Sequence, residues 1–298
     1  MNKLEERKFF PIYIVDAFTD HPFSGNPAAV CLIPPADDVE DVVKQKIAAE
    51  MNLSETAFPQ VLNSTDNFQN GKRFSLRWFT PTCEVPLCGH ATLATAAVLL
   101  KECNNESQVI EFETLRGILK AVKAPNDRIQ IDLPAYESNP VNGKYEKLVK
   151  VVAKDLPVEE VVLSSDLKNL VIRLCDTVTR KEFESFKTNP TELLSAVDGL
   201  IGVIVTLKAS SEEWVDRDGN RYDFVSRYFA PWAGVPEDPV TGSAHNVLAP
   251  YWAKYLQKNK FYARQCSCRG GELHIEIQGD RVLLIGGAAV VVKGQIHV

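Results

Sequence analysis

Long apolar runs, an excess of positive charge, a cysteine framework and the common nucleotide motifs are all missing from this sequence, and each absence removes a class of function. No apolar run approaches the roughly 18 residues of a membrane-spanning helix, so no membrane association is expected. Lysine and arginine total 33 against 39 acidic residues, a net charge of −6, which argues against nucleic acid as a partner. Seven cysteines, an odd number without regular spacing, fit reduced thiols better than disulfides. Cys266 and Cys268 lack a second Cys or His pair at zinc spacing, and no histidines pair at metal spacing, so no metal is expected. No Gly-x-Gly-x-x-Gly follows a strand and no Gly-x-x-x-x-Gly-Lys occurs, so no nucleotide cofactor is expected either. The first eight residues carry both charges and lack the apolar stretch of a signal peptide, which predicts a cytoplasmic protein.

What is present is an ordinary globular composition, 45% hydrophobic and 24% charged over 298 residues, long enough for two domains. A repeated phrase divides the chain. Arg77-Trp78-Phe79-Thr80-Pro81 with Val85-Pro86 recurs as Arg227-Tyr228-Phe229-Ala230-Pro231 with Val235-Pro236, offset by 150 positions. Each copy reads as a strand, a Pro-bounded turn and a Gly (Gly89, Gly242) that opens an apolar helix. Such a helix start presents unpaired N–H groups to an anion, and two facing copies would enclose a cleft.

Hydrophobic periodicity supplies the elements between. Residues 12–18 and 28–33 read as strands around a turn at Gly25-Asn26-Pro27. Val39, Val43, Ile47 and Met51 recur every four residues, with Lys44 among the intervening polar positions, as in an amphipathic helix. Residues 91–100 carry no charge, which predicts a helix buried on all sides. A hairpin over 109–122 and a strand over 129–133 close the first half, and 134–140 reads as a linker. The second half reads as a helix near 144–155, strands at 160–163 and 170–174, a helix over 181–197 interrupted at Pro190, and a strand at 202–207. A polar loop over 210–220 precedes a helix over 242–256 that Pro250 should kink or break, and then terminal hairpins.

Glu55 is the candidate acid–base group. A strand running on from residue 51 would set it on one face with Leu53 and Ala57, among apolar neighbours that raise a carboxyl pKa toward neutrality. A solvent-facing Glu just after a helix is the plainer reading of the same window. His90 after Gly89, and Asp238 before Gly242 and Ser243, stand near the two helix starts.

Gly25-Asn26-Pro27-Ala28-Ala29-Val30, Met51-Asn52-Leu53-Ser54-Glu55, Phe79-Thr80-Pro81, Gly89-His90 and Glu237-Asp238-Pro239-Val240-Thr241-Gly242-Ser243-Ala244 together resemble the phenazine-biosynthesis PhzF-like family, and most closely its animal members. The resemblance implies a diaminopimelate-epimerase-like α/β (α+β) fold of two pseudo-symmetric domains, each a curled, mainly antiparallel sheet around a central helix. The domains would span 8–133 and 141–287, with 288–298 crossing back to complete the first, and a homodimer is expected. It further implies an isomerase in which Glu55 moves a proton between carbons of a small carboxylic acid in the interdomain cleft. His90 and Asp238 would then hold substrate or tune Glu55, and Gly89, Gly242 and Ser243 would shape an anion site. Two-thiol epimerases of this fold need a Cys in each domain, and 237–245 contains none; a mixed Glu55–Cys88 pair is the remaining variant. The alternative class is a protein-binding scaffold with a vestigial site, against which the four polar groups Glu55, His90, Asp238 and Ser243 speak.

Overall fold

The structure is a computed structural model that describes residues 8–35, 37–141 and 143–298; the charged N-terminal stretch read above lies, apart from Lys8, outside the described residues. Two compact units divide the chain, Met1–Asp132 with Ile285–Val298, and Leu133–Leu284.

In the first unit, β1 (Phe9–Ala17) and β2 (Asn26–Cys31) pair antiparallel, with Ala17 opposite Asn26. Gly25 makes the approach to that pairing: its φ is +66°, and a Cβ there would lie 2.2 Å from the Ala17 carbonyl oxygen, which no other residue type tolerates without moving the strand. α1 (Asp41–Met51) follows and buries Ile47 and Ala48 against Ala29, Cys31 and Phe58. Lys44, read as a polar-face residue, is also buried, its ammonium 3.5 Å from Asp41. α1 stops at Asn52, whose left-handed φ of 49° lets its N–H bond to the Ala48 carbonyl. Only three residues separate α1 from β3 (Glu55–Val61), which runs parallel to β2 with Glu55 opposite Ala28.

β4 (Arg73–Phe79) pairs antiparallel with β3 and with the short β5 (Glu84–Val85). α2 (Gly89–Ala97), continued by a π-helical turn over Val98–Glu102, is buried at every position from Gly89 to Leu100, as its lack of charge predicts. Its Ala and Thr side chains are short enough for a sheet to wrap it. Thr92 and Thr95 donate to the carbonyls of Cys88 and Ala91 at 2.5 and 2.7 Å, so neither buried hydroxyl carries the cost of roughly 1–3 kcal/mol of being left unpaired. β6 (Val109–Thr114), β7 (Gly117–Lys123) and β8 (Ile129–Pro134) complete the run of strands.

The second unit begins with β9 (Asn139–Pro140), which pairs with a later strand and lies in the segment read as a linker. The linker reading fails because Ala135 and Tyr136 donate backbone hydrogen bonds to Asp280 and Asn246, so the stretch is tied down within the unit. α3 (Glu146–Ala153), β10 (Val158–Ser164) and β11 (Asn169–Leu174) follow. The helix expected over 181–197 is two, α4 (Arg180–Ser185) and α5 (Pro190–Ala196). Pro190 opens the second behind an Asn189 cap, since a ring without an N–H is tolerated at a helix start. Next come β12 (Gly202–Lys208), β13 (Phe224–Ala230), β14 (Val235–Asp238) and α6 (Gly242–Leu256). Pro250 lies inside α6 without breaking it. β15 (Lys260–Gln265), β16 (Gly271–Gln278) and β17 (Arg281–Gly286) close the unit, and β18 (Ala288–His297) pairs with β1 in the first.

The two units share one strand order. β1–β2 and β10–β11 are antiparallel, β2–β3 and β11–β12 parallel, β3–β4 and β12–β13 antiparallel, β4–β6 and β13–β15 parallel, β6–β7 and β15–β16 antiparallel. α2 packs on β1, β2, β3, β7 and β18, and α6 stacks Trp252 on Phe224 of β13. This is the α/β fold of curled, mainly antiparallel sheets around central helices. One detail of the repeat shifts. Val235 pairs with Ala230, whereas Val85 pairs with Trp78, and a bulge then brings Asp238 opposite Tyr228. Beyond the turn, Glu84 therefore matches Glu237 and Gly89 matches Gly242, so the Val-Pro dipeptides coincide in sequence but not in structure.

Candidate active site

Three short segments of the first unit converge on the start of α2. β2 contributes Asn26, the turn from α1 into β3 contributes Ser54 and Glu55, and the helix start contributes Cys88, Gly89 and His90. Asn26 is fully buried, Cys88 and His90 nearly so, and the Glu55 side chain is 18% exposed. The solvent-facing reading of Glu55 fails because β3 begins at that residue, alongside buried β2. Strand alternation does not separate Ser54 from Glu55 either, since Ser54 precedes the strand and both reach His90.

His90 Nε2 lies 3.3 Å from Glu55 Oε2 and 3.2 Å from Ser54 Oγ. On the other side of the ring, Nδ1 lies 3.2 Å from Asn26 Nδ2 and 3.4 Å from Cys88 Sγ. Oε2 is buried and accepts no hydrogen bond. Burial pushes the Glu55 carboxyl above its ordinary pKa, opposed in part by hydrogen bonds from Ser54 and Cys88. A buried carboxylate oxygen without a hydrogen bond is costly, and binding a proton removes that cost. One ligand atom each from Glu55, Cys88 and His90 lie within 4.8 Å of one another, close enough for a cation to contact all three. The sequence offered no such group because Glu55 is remote from Cys88 and His90 in the chain.

The other predicted residues, Asp238, Gly242 and Ser243, gather at the start of α6 in the second unit. Thr241 donates a short hydrogen bond to the Asp238 carboxylate, and the Asp238 carbonyl accepts from Gln265 at 2.7 Å. Thr241 is the N-cap of α6, yet its side chain makes no cap bond, and Cys88 makes none at α2. Both helix starts thus keep first-turn N–H groups that no N-cap side chain satisfies.

Register identifies the counterpart of Glu55. Thr56 pairs with Phe79 and Val203 with Phe229, so Glu55 corresponds to Gly202. A Cβ on Gly202 would lie 2.3 Å from the Tyr228 hydroxyl, which bonds to Asn169 at 3.0 Å. A tyrosine ring fills the place that the carboxyl occupies in the first unit, and the duplication has left one acid, not two. Sequence reading assigned no role to Asn26 or Ser54; the available signal was that both stand inside the quoted Gly25-Asn26-Pro27 and Asn52-Leu53-Ser54-Glu55 runs.

The family model described as "PhzC-PhzF: Phenazine biosynthesis-like protein" matches residues 15–294. A human phenazine biosynthesis-like domain-containing protein is 48% identical over 290 residues, covering 96% of this chain and 98% of its own. A protein named as an uncharacterized isomerase from Halalkalibacterium halodurans is 43% identical over 288 residues, covering 96% and 98% of the two chains. The crystal structure of a PhzF-family phenazine biosynthesis protein from Enterococcus faecalis superposes with a TM-score of 0.81 at 35% identity, covering 98% of this chain and all of that one. With its duplicated fold, its matching sequence over nearly the whole length and relatives named as isomerases, the chain belongs to the PhzC/PhzF phenazine biosynthesis-like family.

Proposed function

We propose that this protein is an isomerase that moves a proton between two carbons of a small carboxylic acid, with Glu55 as its one acid–base group. The observation that carries this reading is the Glu55 carboxyl itself, buried, held above its ordinary pKa and with one oxygen unbonded. A carboxyl in that state takes a proton from an activated carbon and keeps it long enough to return it to a second carbon on the same face. No redox step is involved, and the atoms balance within the substrate. His90 and Ser54 hold the carboxyl in place. The first-turn N–H groups at Gly89, and those at Gly242 and Ser243, are suited to a substrate carboxylate, and Asp238 to a hydrogen-bond donor on the substrate. The relatives named as isomerases support the reaction class.

The Glu55–Cys88 two-base variant is disfavoured by geometry. The thiol hydrogen-bonds to the carboxyl, so the two groups approach from one side, whereas inverting a carbon centre takes bases on opposite sides. A vestigial scaffold is disfavoured because the unbonded buried oxygen costs stability without serving a binding surface.

Incubation in deuterated water with a panel of small unsaturated and cyclic carboxylic acids, followed by mass spectrometry of carbon-bound deuterium, tests the proposal. Wild type is expected to label at least one acid, Glu55→Gln to slow labelling by about 10²–10⁴-fold, and Cys88→Ser to stay within about tenfold of wild type. Labelling that persists in Glu55→Gln, or no labelling of any acid by wild type, rejects it.

A further inference from the structure

We propose that Gln265 is a positioning residue whose amide sets the turn from Asp238 to Thr241 and commits the Thr241 hydroxyl to the Asp238 carboxylate. The neighbours of the amide fix which way round it lies. Its Oε1 is 2.9 Å from the Thr241 backbone nitrogen, which only donates, and its Nε2 is 2.7 Å from the Asp238 carbonyl, which only accepts. A flipped amide would break both bonds at once. The second proton on Nε2 is directed at Thr241 Oγ1, 3.2 Å away. With that donor filling one of its lone pairs, the hydroxyl sends its own proton to the Asp238 carboxylate in a short hydrogen bond. The donors run one way, from amide to hydroxyl to carboxylate.

Thr241 is the N-cap of α6, where a threonine oxygen ordinarily accepts a first-turn N–H; here it makes no such bond. Gln265 cannot turn elsewhere, because it is fully buried on β15, between Ser226 of β13 and Gly271 of β16. Ser267 ties the same turn at a second point, donating to the Pro239 carbonyl at 2.9 Å and accepting from the Gly270 N–H at 3.0 Å. The first unit is built differently at the matching places. Phe74 pairs with Phe112 and Phe224 with Ala263, so Gln265 corresponds to Thr114, whose hydroxyl donates to Gly117 of its own hairpin at 2.7 Å. Trp78 pairs with Val85 and Tyr228 with Asp238, so Asp238 corresponds to Val85. The register thus puts amide and carboxylate together in the second unit and neither in the first.

In the function proposed above, on which this role rests, Asp238 receives a hydrogen-bond donor on the substrate while Glu55 carries the proton, so loosening Asp238 weakens binding and spares the chemistry. Kinetics of deuterium labelling, followed on the acid that wild type labels, test this. Gln265→Met and Thr241→Val are each expected to raise KM by about 10–100-fold, as for a lost hydrogen bond to a charged group, with kcat within about threefold of wild type. The double variant is expected to be no worse than the poorer single one, because amide and hydroxyl act in series. Losses that add, or a wild-type KM in either single variant, overturn the role. The geometry is measured without turnover. In threonine-labelled protein, three-bond couplings to the Thr241 methyl carbon, assigned from the signal lost in Thr241→Val, are expected to show one χ1 rotamer in wild type, and a changed or averaged one in Gln265→Met. A wild-type Thr241 that averages between rotamers overturns the proposal even where Gln265→Met does not fold, as does a folded Gln265→Met that keeps the wild-type rotamer. If the rotamers behave as stated while wild type labels no acid, the isomerase reading falls and the positioning of Asp238 stands.

Discussion

Glu55 resists ionisation because folding takes it from water into the angle between β3 and the start of α2, and that resistance has a consequence for stability. Its folded-state pKa lies above its unfolded value, so its contribution is fully present below the ordinary carboxylate range and is lost as pH rises through the folded pKa. Glu55→Gln removes the charge and with it the loss. In urea denaturation the variant is expected to match wild type near pH 4 and to exceed it at pH 8, by about 1.4 kcal/mol for each unit by which the folded pKa is raised. A variant less stable than wild type at pH 8 would mean that hydrogen bonds from Ser54 and Cys88 outweigh burial. Sequence could nominate Glu55, but period-two reasoning could not place it, because the strand starts at that very residue and the alternation does not apply to Ser54 before it.

Between strands, the repeated phrase carries a repeated ion pair. Arg77 on β4 grips Glu84 of β5 through two bonds of 2.7 and 2.8 Å, and Arg227 on β13 grips Glu237 of β14 through two of 2.7 and 2.9 Å. Their surroundings differ. Arg227 is 6% exposed and also donates to the Phe183 and Phe186 carbonyls, whereas Arg77 is 27% exposed and shares its fork with Asp41. Arg227→Lys loses the planar fork and strands two carbonyls behind α4, an expected loss of about 2–4 kcal/mol in denaturation midpoints converted to free energy. Arg77→Lys keeps a charge near water and is expected to lose under about 1 kcal/mol. Equal losses would show that burial is not what separates them. The arginines were visible in the repeat; the glutamates were not, because the bulge before Asp238 shifts the matching positions by three.

Across the whole chain, the first unit is unfinished until the last strand is made. β18 pairs with β1 along its length and packs on α2, while the second unit holds its own core around Leu170, Trp214, Val225 and Phe229. A chain ending at Leu284 leaves β1 with an open edge and α2 partly uncovered. Trp78 in the first unit is expected to become accessible to quencher and residues 8–132 to become protease-sensitive, with Trp214 and Trp252 still protected. Loss of protection in both units at once would mean that neither folds without β18.

The amino-acid order alone determined that residues 91–100 must lie inside, because a run without charge has nothing to gain from water, and that two like units exist, because a phrase of fixed chemistry occurs twice. It also carried the family, through motifs spread from Gly25 to Ala244. Other matters were decided only in three dimensions. The segment over 134–140 reads as a linker until its N–H groups are seen to be taken, and Pro250 reads as a kink or a break until α6 is seen to run on through it. Above all, the proton affinity of Glu55 belongs to no sequence window. It is set by burial alongside β2 and by the hydrogen bonds that Ser54 and Cys88 bring to it from separate segments, and only packing assembles those.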